Sequence, residues 1–198
     1  PVSLDKRNIR AAIGETLNRL QTDYLDLYKV HWPARETNFL GVRGVEKLED
    51  DGIPIEETLG ALNEEVIKPG KARYLGVSNE TAWGVHEYLR VASEKNLPRM
   101  VSIQNQYSLI NRTYEIGLSE MTLREEIALL AYSPLSFGVL SGKYLGGARP
   151  EGARFTLWDR SSSRYNAPEA QEAIQLYVKL AKENGLDPSQ MAIAFVAS

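Results

Sequence analysis

Residues 23–33 read Asp23-Tyr24-Leu25-Asp26-Leu27-Tyr28-Lys29-Val30-His31-Trp32-Pro33. The apolar run predicts a buried strand over residues 24–31 that ends on a histidine, followed by a loop that begins at the proline. In parallel α/β folds, side chains at the carboxyl ends of strands form the binding site. An imidazole there can donate a hydrogen bond to a carbonyl group or move a proton near neutral pH. From the residues alone, His31 is therefore either a candidate for chemistry or a structural histidine at a strand end.

Three further apolar runs predict strands over residues 72–77, 100–104 and 127–132. Apolar residues at helical spacing predict helices around these strands, the first beginning near Ser3 or Asp5 and the last at Asp187-Pro188. Long loops are predicted over residues 32–54 and 133–165. Short apolar strands that alternate with helices are typical of a parallel sheet covered by helices. We expect the polar and aromatic side chains that follow the strands to meet at one edge of the sheet: His31, Ser78, Asn79, Gln104, Asn105, Tyr132 and Ser133.

The composition is that of an ordinary globular protein of 198 residues, 43% of them hydrophobic and 25% charged. The net charge of −3 provides no basic excess for binding nucleic acid or an anionic membrane surface. Cysteine is absent, which excludes disulfides and thiolate chemistry from this sequence. No apolar run approaches the roughly 20 residues that span a bilayer, and no signal peptide is visible, so we expect a cytoplasmic protein. The uniform composition predicts one domain over residues 1–198.

The sequence does not predict a metal site, because no His, Asp and Glu residues have the spacing of metal ligands. A Gly-x-Gly-x-x-Gly fingerprint is also absent, so a Rossmann-type nucleotide site is not predicted. We expect Asp23 and Asp26 to act as caps or ion-pair partners, and His86 to lie on the surface. Trp32 is predicted either to form a wall of a substrate pocket or simply to pack. Three arginines are expected to be solvated: Arg149, Arg160 and Arg164.

Five segments, in this order, resemble the aldo-keto reductase family. They are residues 17–28 leading to His31, Gly76-Val77-Ser78-Asn79, residues 104–112, residues 131–135, and Ser141-Gly142-Lys143-Tyr144. The resemblance is to bacterial NADP-dependent members with long loops. It implies a (β/α)8 TIM barrel, of which this chain matches strands 4–7 and their helices as a single partial barrel domain. It also implies that aldehydes or ketones are reduced to alcohols by hydride transfer from NADPH.

The resemblance assigns roles to individual residues. It places His31 as the catalytic histidine that donates a hydrogen bond to the carbonyl oxygen of a small-molecule substrate, where negative charge develops. It implies that Ser78, Asn79 and Gln104 hold the nicotinamide carboxamide and that Tyr132 stacks on the ring. It also implies a segment that wraps the diphosphate, formed by Ser133, Leu135, Gly138, Ser141 and Lys143, with Arg154 as a further phosphate ligand. From the residues alone, Tyr132 could equally be a core tyrosine that closes a strand. The segment could also be a solvated loop that binds nothing.

The sequence also departs from the family pattern. The family's catalytic Asp, Tyr and Lys lie on strands that precede the segment matching Pro1, and an eighth strand follows the last match. We therefore expect an incomplete portion of a protein of roughly 300 residues or more, with reduction by that parent and none by this portion alone. The chain does not begin with Met, so we do not expect Pro1 to be the native start. The abrupt ending at Val196-Ala197-Ser198 leaves open whether non-contiguous segments are joined.

Two other functions are compatible with the sequence. The first is a regulatory subunit that keeps the cofactor site but performs little chemistry, like the channel-associated relatives of the family. The second is an unrelated α/β-barrel lyase, which requires all five matching segments to be coincidental. The sequence leaves open the physiological substrate, the oligomeric state, and the choice between NADP and NAD.

Overall fold

The computed structural model describes residues 3–38, 52–158 and 163–198, and it has an α/β architecture with a parallel sheet. The strands are β1 Leu25–Val30, β2 Ala72–Ser78, β3 Met100–Gln104 and β4 Ala128–Leu129. The helices are α1 Lys6–Leu20, α2 Ile55–Leu62, α3 Ala82–Lys95, α4 Leu118–Arg124, α5 Arg154–Leu157, α6 Pro168–Glu183 and α7 Pro188–Ala197. Residues 39–51 of the predicted first loop, and Arg160, lie outside the described residues.

The four strands pair in sequence order, and all pairs are parallel. This confirms the predicted sheet, with β3 at its predicted bounds and β1 one residue shorter at each end. The prediction of a fourth strand over residues 127–132 is wrong in extent, because only Ala128 and Leu129 form it. The backbone ladder ends with a 2.8 Å hydrogen bond from Leu130 N–H to the Ile103 carbonyl oxygen. Ala128 and Leu130 are exposed, so burial does not hold a longer strand in place.

Helix boundaries follow the capping residues that the sequence presents. Asp5 accepts a hydrogen bond from Asn8 N at 2.9 Å and caps α1, as predicted. Thr81 caps α3 through Gly84 N at 3.2 Å, and Asp187 caps α7 through Ser189 N at 2.8 Å. Helix α2 continues beyond Leu62 as a π-helical turn over Asn63–Ile67.

The register of the sheet produces two kinds of rows, because successive residues of a strand point to opposite faces. Val30, Val77, Ile103 and Leu129 are register partners and form one apolar row. Lys29, Gly76, Ser102 and Ala128 form the neighbouring row on the other face. Two residues further along the strands, His31, Ser78 and Gln104 follow on that same face. On the face that carries the candidate site, the row before the strand ends therefore contains two polar residues, Lys29 and Ser102.

The chain folds into two compact units, residues 1–105 with 117–130 and residues 106–116 with 131–198. The first unit holds the sheet and α1–α4, with fully buried side chains at Ile13, Leu59, Leu62, Leu75 and Ile103. The second unit has its own core, formed by Val139, Leu140, Tyr144, Ala153, Phe155, Tyr165, Ile174, Val178 and Ala192. The segment 133–165, predicted as a loop, contains α5 and several 3₁₀ turns within the described residues.

Candidate active site

The carboxyl ends of β1, β2 and β3 bring together four of the predicted site residues: His31, Ser78, Asn79 and Gln104. Ser78 and Gln104 are register partners in the last row of β2 and β3, and His31 directly follows β1. This grouping follows from the parallel sheet, since equivalent ends of neighbouring strands share one edge. The first unit thus places an imidazole, a hydroxyl group and two side-chain amides at one edge.

Asn79 and Ser78 tie the three strand ends together. The Asn79 Nδ2 group donates to the His31 carbonyl oxygen at 2.8 Å and to Ser78 Oγ at 3.2 Å. The backbone N–H of Asn79 and the hydroxyl of Ser78 both donate to the Gln104 carbonyl oxygen, at 3.0 Å and 2.7 Å. Asn79 has a φ of 55°, in the left-handed region that asparagine adopts more readily than most residues. The network is buried and fixes the backbone from which His31 and Gln104 project.

The His31 imidazole is exposed at the end of β1. Its ring centroid lies 4.4 Å from that of Trp32, with the two planes inclined by 34°. The backbone of His31 is held by Asn79 while the residue is exposed, so the side chain can donate to a bound oxygen. Trp32 therefore contacts the candidate catalytic histidine directly.

Lys29 is a polar residue of this face that the sequence analysis did not single out. Its ammonium group donates a hydrogen bond to Gln104 Oε1. Among the described residues, none offers a carboxylate to Lys29 or an acceptor to Gln104 Nε2. The sequence does contain a signal for Lys29, because a residue two positions before His31 on a strand must point to the same face.

A buried ion pair holds Arg35, four residues after His31. Arg35 donates to both carboxylate oxygens of Glu80, at 2.8 Å and 2.7 Å, and their side chains are only 13% and 2% exposed. Arg35 also lies 4.8 Å from the ring of Trp83, and the Glu80 carbonyl oxygen accepts from Asn105 at 2.9 Å. This pair joins residues that are 45 positions apart, and no local pattern in the sequence indicates it.

The second unit contains the remaining predicted site residues. Tyr132 forms a parallel bridge with Gln106, and its side chain is half-buried. Burial raises the pKa of the Tyr132 phenol, while the Arg164 guanidinium acts in the opposite direction and Tyr165 adds slightly to the rise. The phenol is therefore neutral at physiological pH, and its ring has the character of an uncharged stacking surface.

Residues 133–143 form a tight series of turns in the second unit. Ser133, Ser136, Phe137, Gly138 and Gly142 all have positive φ angles. Ser141 Oγ donates to the Gly138 carbonyl oxygen at 2.8 Å, and a Cβ at Gly138 would lie 2.9 Å from Lys143 Cε. Gly138 has a φ of 94°, a conformation that favours glycine, and the end of the Lys143 side chain packs against it. Several backbone N–H groups of residues 133–143 donate to carbonyl oxygens of the same segment. The positive charge of the segment therefore comes from its side chains.

Arg154 is exposed and stacks on a residue of the same segment. Its guanidinium carbon lies 3.9 Å from the centroid of the Phe137 ring, and that of Arg164 lies 5.6 Å from it. Arg149 and Arg164 are exposed, as predicted. Lys143, Arg154 and the Gly138 turn are thus associated with one stretch of backbone in the second unit.

The residues expected to be structural also have defined positions. Asp26 pairs with Arg73 at 2.8 Å, and His86 is exposed on α3, which confirms both predictions. Within residues 3–38, 52–158 and 163–198, His, Asp and Glu side chains form no group that could hold a metal ion. No helix in this part of the chain is long and apolar enough to cross a membrane.

Comparison with known proteins identifies similar sequences. The sequence model of the Aldo/keto reductase family matches residues 1–198. The chain is 53% identical over 195 residues to "Protein tas" of Escherichia coli (strain K12), covering 98% of this chain and 56% of that protein. It is 34% identical over 191 residues to "Aldo-keto reductase" of Babesia bovis, covering 90% and 66%. It is 30% identical over 198 residues to "Probable voltage-gated potassium channel subunit beta" of Arabidopsis thaliana, covering 98% and 55%. The chain thus spans little more than half the length of the first of these relatives.

Proposed function

This chain belongs to the Aldo/keto reductase family, and on that premise we propose that its parent protein reduces aldehydes or ketones to alcohols with NADPH. The observation that carries the proposal is the shared edge of β1–β3, where His31, Ser78, Asn79 and Gln104 lie together. In that parent, residues 1–198 contribute strands 4–7 of one (β/α)8 barrel domain. The protein is cytoplasmic in this proposal.

The donor set at this edge fits a nicotinamide carboxamide. That group presents an amide donor and a carbonyl acceptor, so it needs both kinds of partner. Ser78 Oγ keeps an acceptor site after donating to the Gln104 carbonyl oxygen, and Gln104 Nε2 supplies protons for donation. Together with Asn79, these residues orient the ring, and we keep ring stacking as the proposed role of Tyr132.

When bound, NADPH supplies the hydride that attacks the substrate carbon. His31 donates a hydrogen bond to the carbonyl oxygen of the substrate, which gains negative charge as the hydride arrives. A donor placed in advance stabilises that charge without reorganisation during the step. Asn79 holds the His31 carbonyl oxygen, so the imidazole starts from a fixed backbone position. The family's remaining catalytic residues, Asp, Tyr and Lys, are assigned to the part of the parent outside this chain.

The second unit supplies the groups for the phosphates of the nucleotide. Ser133, Leu135, Gly138 and Ser141 form the turns, and Lys143 and Arg154 carry positive charge. A compact turn with nearby cations is a common way to hold phosphates. We propose that this segment binds the diphosphate of NADPH.

Nucleotide titration of the full-length protein tests the proposal. Quenching of tryptophan fluorescence by NADPH should saturate at micromolar concentrations or below, and NADH should bind more weakly. Substitution of Gln104 by Ala should weaken the binding of NADPH, whereas the same change at the exposed Gln190 should not. If neither nucleotide binds, Ser78, Asn79, Gln104 and Tyr132 are scaffold residues and the reductase proposal is wrong.

A second candidate function is a cofactor-binding regulatory subunit. The similarity to a protein named as a potassium channel subunit beta favours this alternative. Steady-state oxidation of NADPH with a panel of aldehydes distinguishes the two functions, because only a reductase turns over. Nucleotide binding without turnover, together with co-purification of a membrane protein, would favour the subunit.

A further inference from the structure

Lys29 extends across the neighbouring strand to reach Gln104. It lies on β1 while Gln104 lies on β3, so the side chain must pass over β2, and neighbouring strands are about 4.8 Å apart. The register partner of Lys29 on β2 is Gly76, which has no side chain. A Cβ at Gly76 would lie 3.1 Å from Lys29 Cγ and closer still to Ser102 Oγ. The glycine therefore provides the space through which the lysine reaches the strand ends.

The contact fixes the orientation of the Gln104 amide. An ammonium group has only donors, so the atom that faces it must be the carbonyl oxygen of the amide. The hydrogen bond from Lys29 therefore occupies Gln104 Oε1 and leaves Nε2 to donate elsewhere. In the proposed site, Nε2 is the atom that can meet the carbonyl oxygen of the nicotinamide carboxamide.

Lys29 also places a positive charge beside the proposed nicotinamide position. Among the described residues, no carboxylate pairs with this ammonium, and the side chain is half-buried. The nicotinamide ring is positive in NADP⁺ and neutral in NADPH, so the ammonium repels one form and not the other. In a partly screened environment, a unit charge within about one nanometre changes the ratio of the dissociation constants of the two forms by roughly threefold to tenfold.

We propose that Lys29 is a positioning residue that orients Gln104 and makes the site favour NADPH over NADP⁺. The inference rests on the proposed function. It names Lys29 as a residue that determines which redox form of the nucleotide binds more tightly. Preferential binding of the reduced form keeps the site occupied by NADPH when both forms are present, and it speeds release of the oxidised product nucleotide.

Binding measurements on the full-length protein test the inference without any turnover. Dissociation constants for NADPH and NADP⁺ are measured by fluorescence titration or calorimetry for the unmodified protein and for K29Q, K29M and K29R. K29Q keeps a donor for Gln104 but removes the charge, and K29R keeps the charge. K68Q serves as the matched control, because Lys68 is a surface lysine whose side chain is 61% exposed.

The expected result is a change in the ratio of the two constants. K29Q and K29M should improve NADP⁺ binding relative to NADPH by roughly threefold or more, whereas K29R and K68Q should keep the original ratio. A merely structural role for Lys29 would weaken both nucleotides together and leave the ratio unchanged. An unchanged ratio in K29Q and K29M therefore overturns the inference while the proposed function stands. Absence of binding by the unmodified protein overturns the proposed function itself.

Discussion

At the scale of single residues, His31 has a backbone that is held in place and a side chain that is exposed. Asn79 holds the carbonyl oxygen at 2.8 Å, while the imidazole is exposed beside Trp32. A catalytic donor requires both properties, because it must be positioned in advance and still reach the substrate. A purely structural histidine would instead bury its ring nitrogens against protein acceptors.

Replacement of His31 by Ala should therefore reduce kcat of the full-length protein by about 10²–10³-fold, the usual effect of losing one such donor. The dissociation constant for NADPH should change by less than about twofold, because the carboxamide is held by other residues. His86→Ala is the matched control, since His86 is the other histidine of the sequence and is exposed on α3. Equal activities of the two variants would remove His31 from the mechanism.

At the scale of elements, a buried ion pair joins Arg35, shortly after β1, to Glu80, just before α3. Gly84 makes this possible, because a Cβ at that position would collide with both side chains. The ion pair connects Arg35, four positions after His31, with Glu80, the residue directly after Asn79. The geometry of the strand ends therefore depends on an ion pair outside the strands themselves.

Arg35→Met should lower the free energy of unfolding by about 3–5 kcal/mol, because it leaves the Glu80 carboxylate buried without its partner. Chemical denaturation of the full-length protein measures this loss. The double variant Arg35→Met/Glu80→Met should recover part of it, since no unpaired charge is left. A single variant as stable as the unmodified protein would show that the pair contributes nothing.

The contact between α1 and the π-helical turn is expected to depend on pH. Arg10 donates to both oxygens of Glu65, at 2.7 Å and 2.8 Å, and Lys6 lies 3.6 Å away. The hydrogen bonds from Arg10 lower the pKa of the Glu65 carboxyl from 4.5 to about 2. Because the pKa is lower in the folded state, this stabilisation is fully present above pH 4.5 and is lost as the pH falls toward 2.

Denaturation at about pH 7 and about pH 3 should reveal this dependence as a difference between variants. Glu65→Gln should lose less stability between the two pH values than the unmodified protein, since it has no carboxylate to protonate. Glu94→Gln, at an exposed position of α3, provides the comparison for a surface carboxylate. Identical pH dependence in Glu65→Gln and the unmodified protein would contradict the assignment.

At the scale of the whole molecule, the sequence predicted the parallel sheet because each strand is a compact apolar run between helices. The prediction failed where the apolar run is not buried. Of the strand expected over residues 127–132, only Ala128 and Leu129 pair, because Ala128 and Leu130 are exposed. The sequence predicted that His31, Ser78, Asn79 and Gln104 lie together, because polar residues at strand ends form a local pattern. It missed Lys29 reaching Gln104, and Arg35 pairing with Glu80, because both contacts need space provided by a distant glycine.

Nucleotide binding should stabilise the full-length protein as a whole. A ligand that binds only the folded state at 100 times its dissociation constant adds about 2.7 kcal/mol to the free energy of unfolding. Thermal denaturation with and without NADPH should show a corresponding rise in Tm, which Lys143→Ala should reduce. Arg149→Ala, at an exposed position of the second unit, should leave the rise intact. An equal rise in the Lys143→Ala variant would remove that lysine from the phosphate site.

The gap at Gly76 has an evolutionary consequence. Positions 29, 76 and 102 compete for one small volume, so they cannot change independently. A lineage that acquires a side chain at position 76 must also change position 102, whose Oγ is the nearest atom, and make room at position 29. Related sequences should accordingly show covariation among these three positions, with a long side chain at 29 accompanied by glycine at 76. In a mutational scan, Gly76→Ala should be tolerated better in combination with Lys29→Ala and Ser102→Gly than on its own.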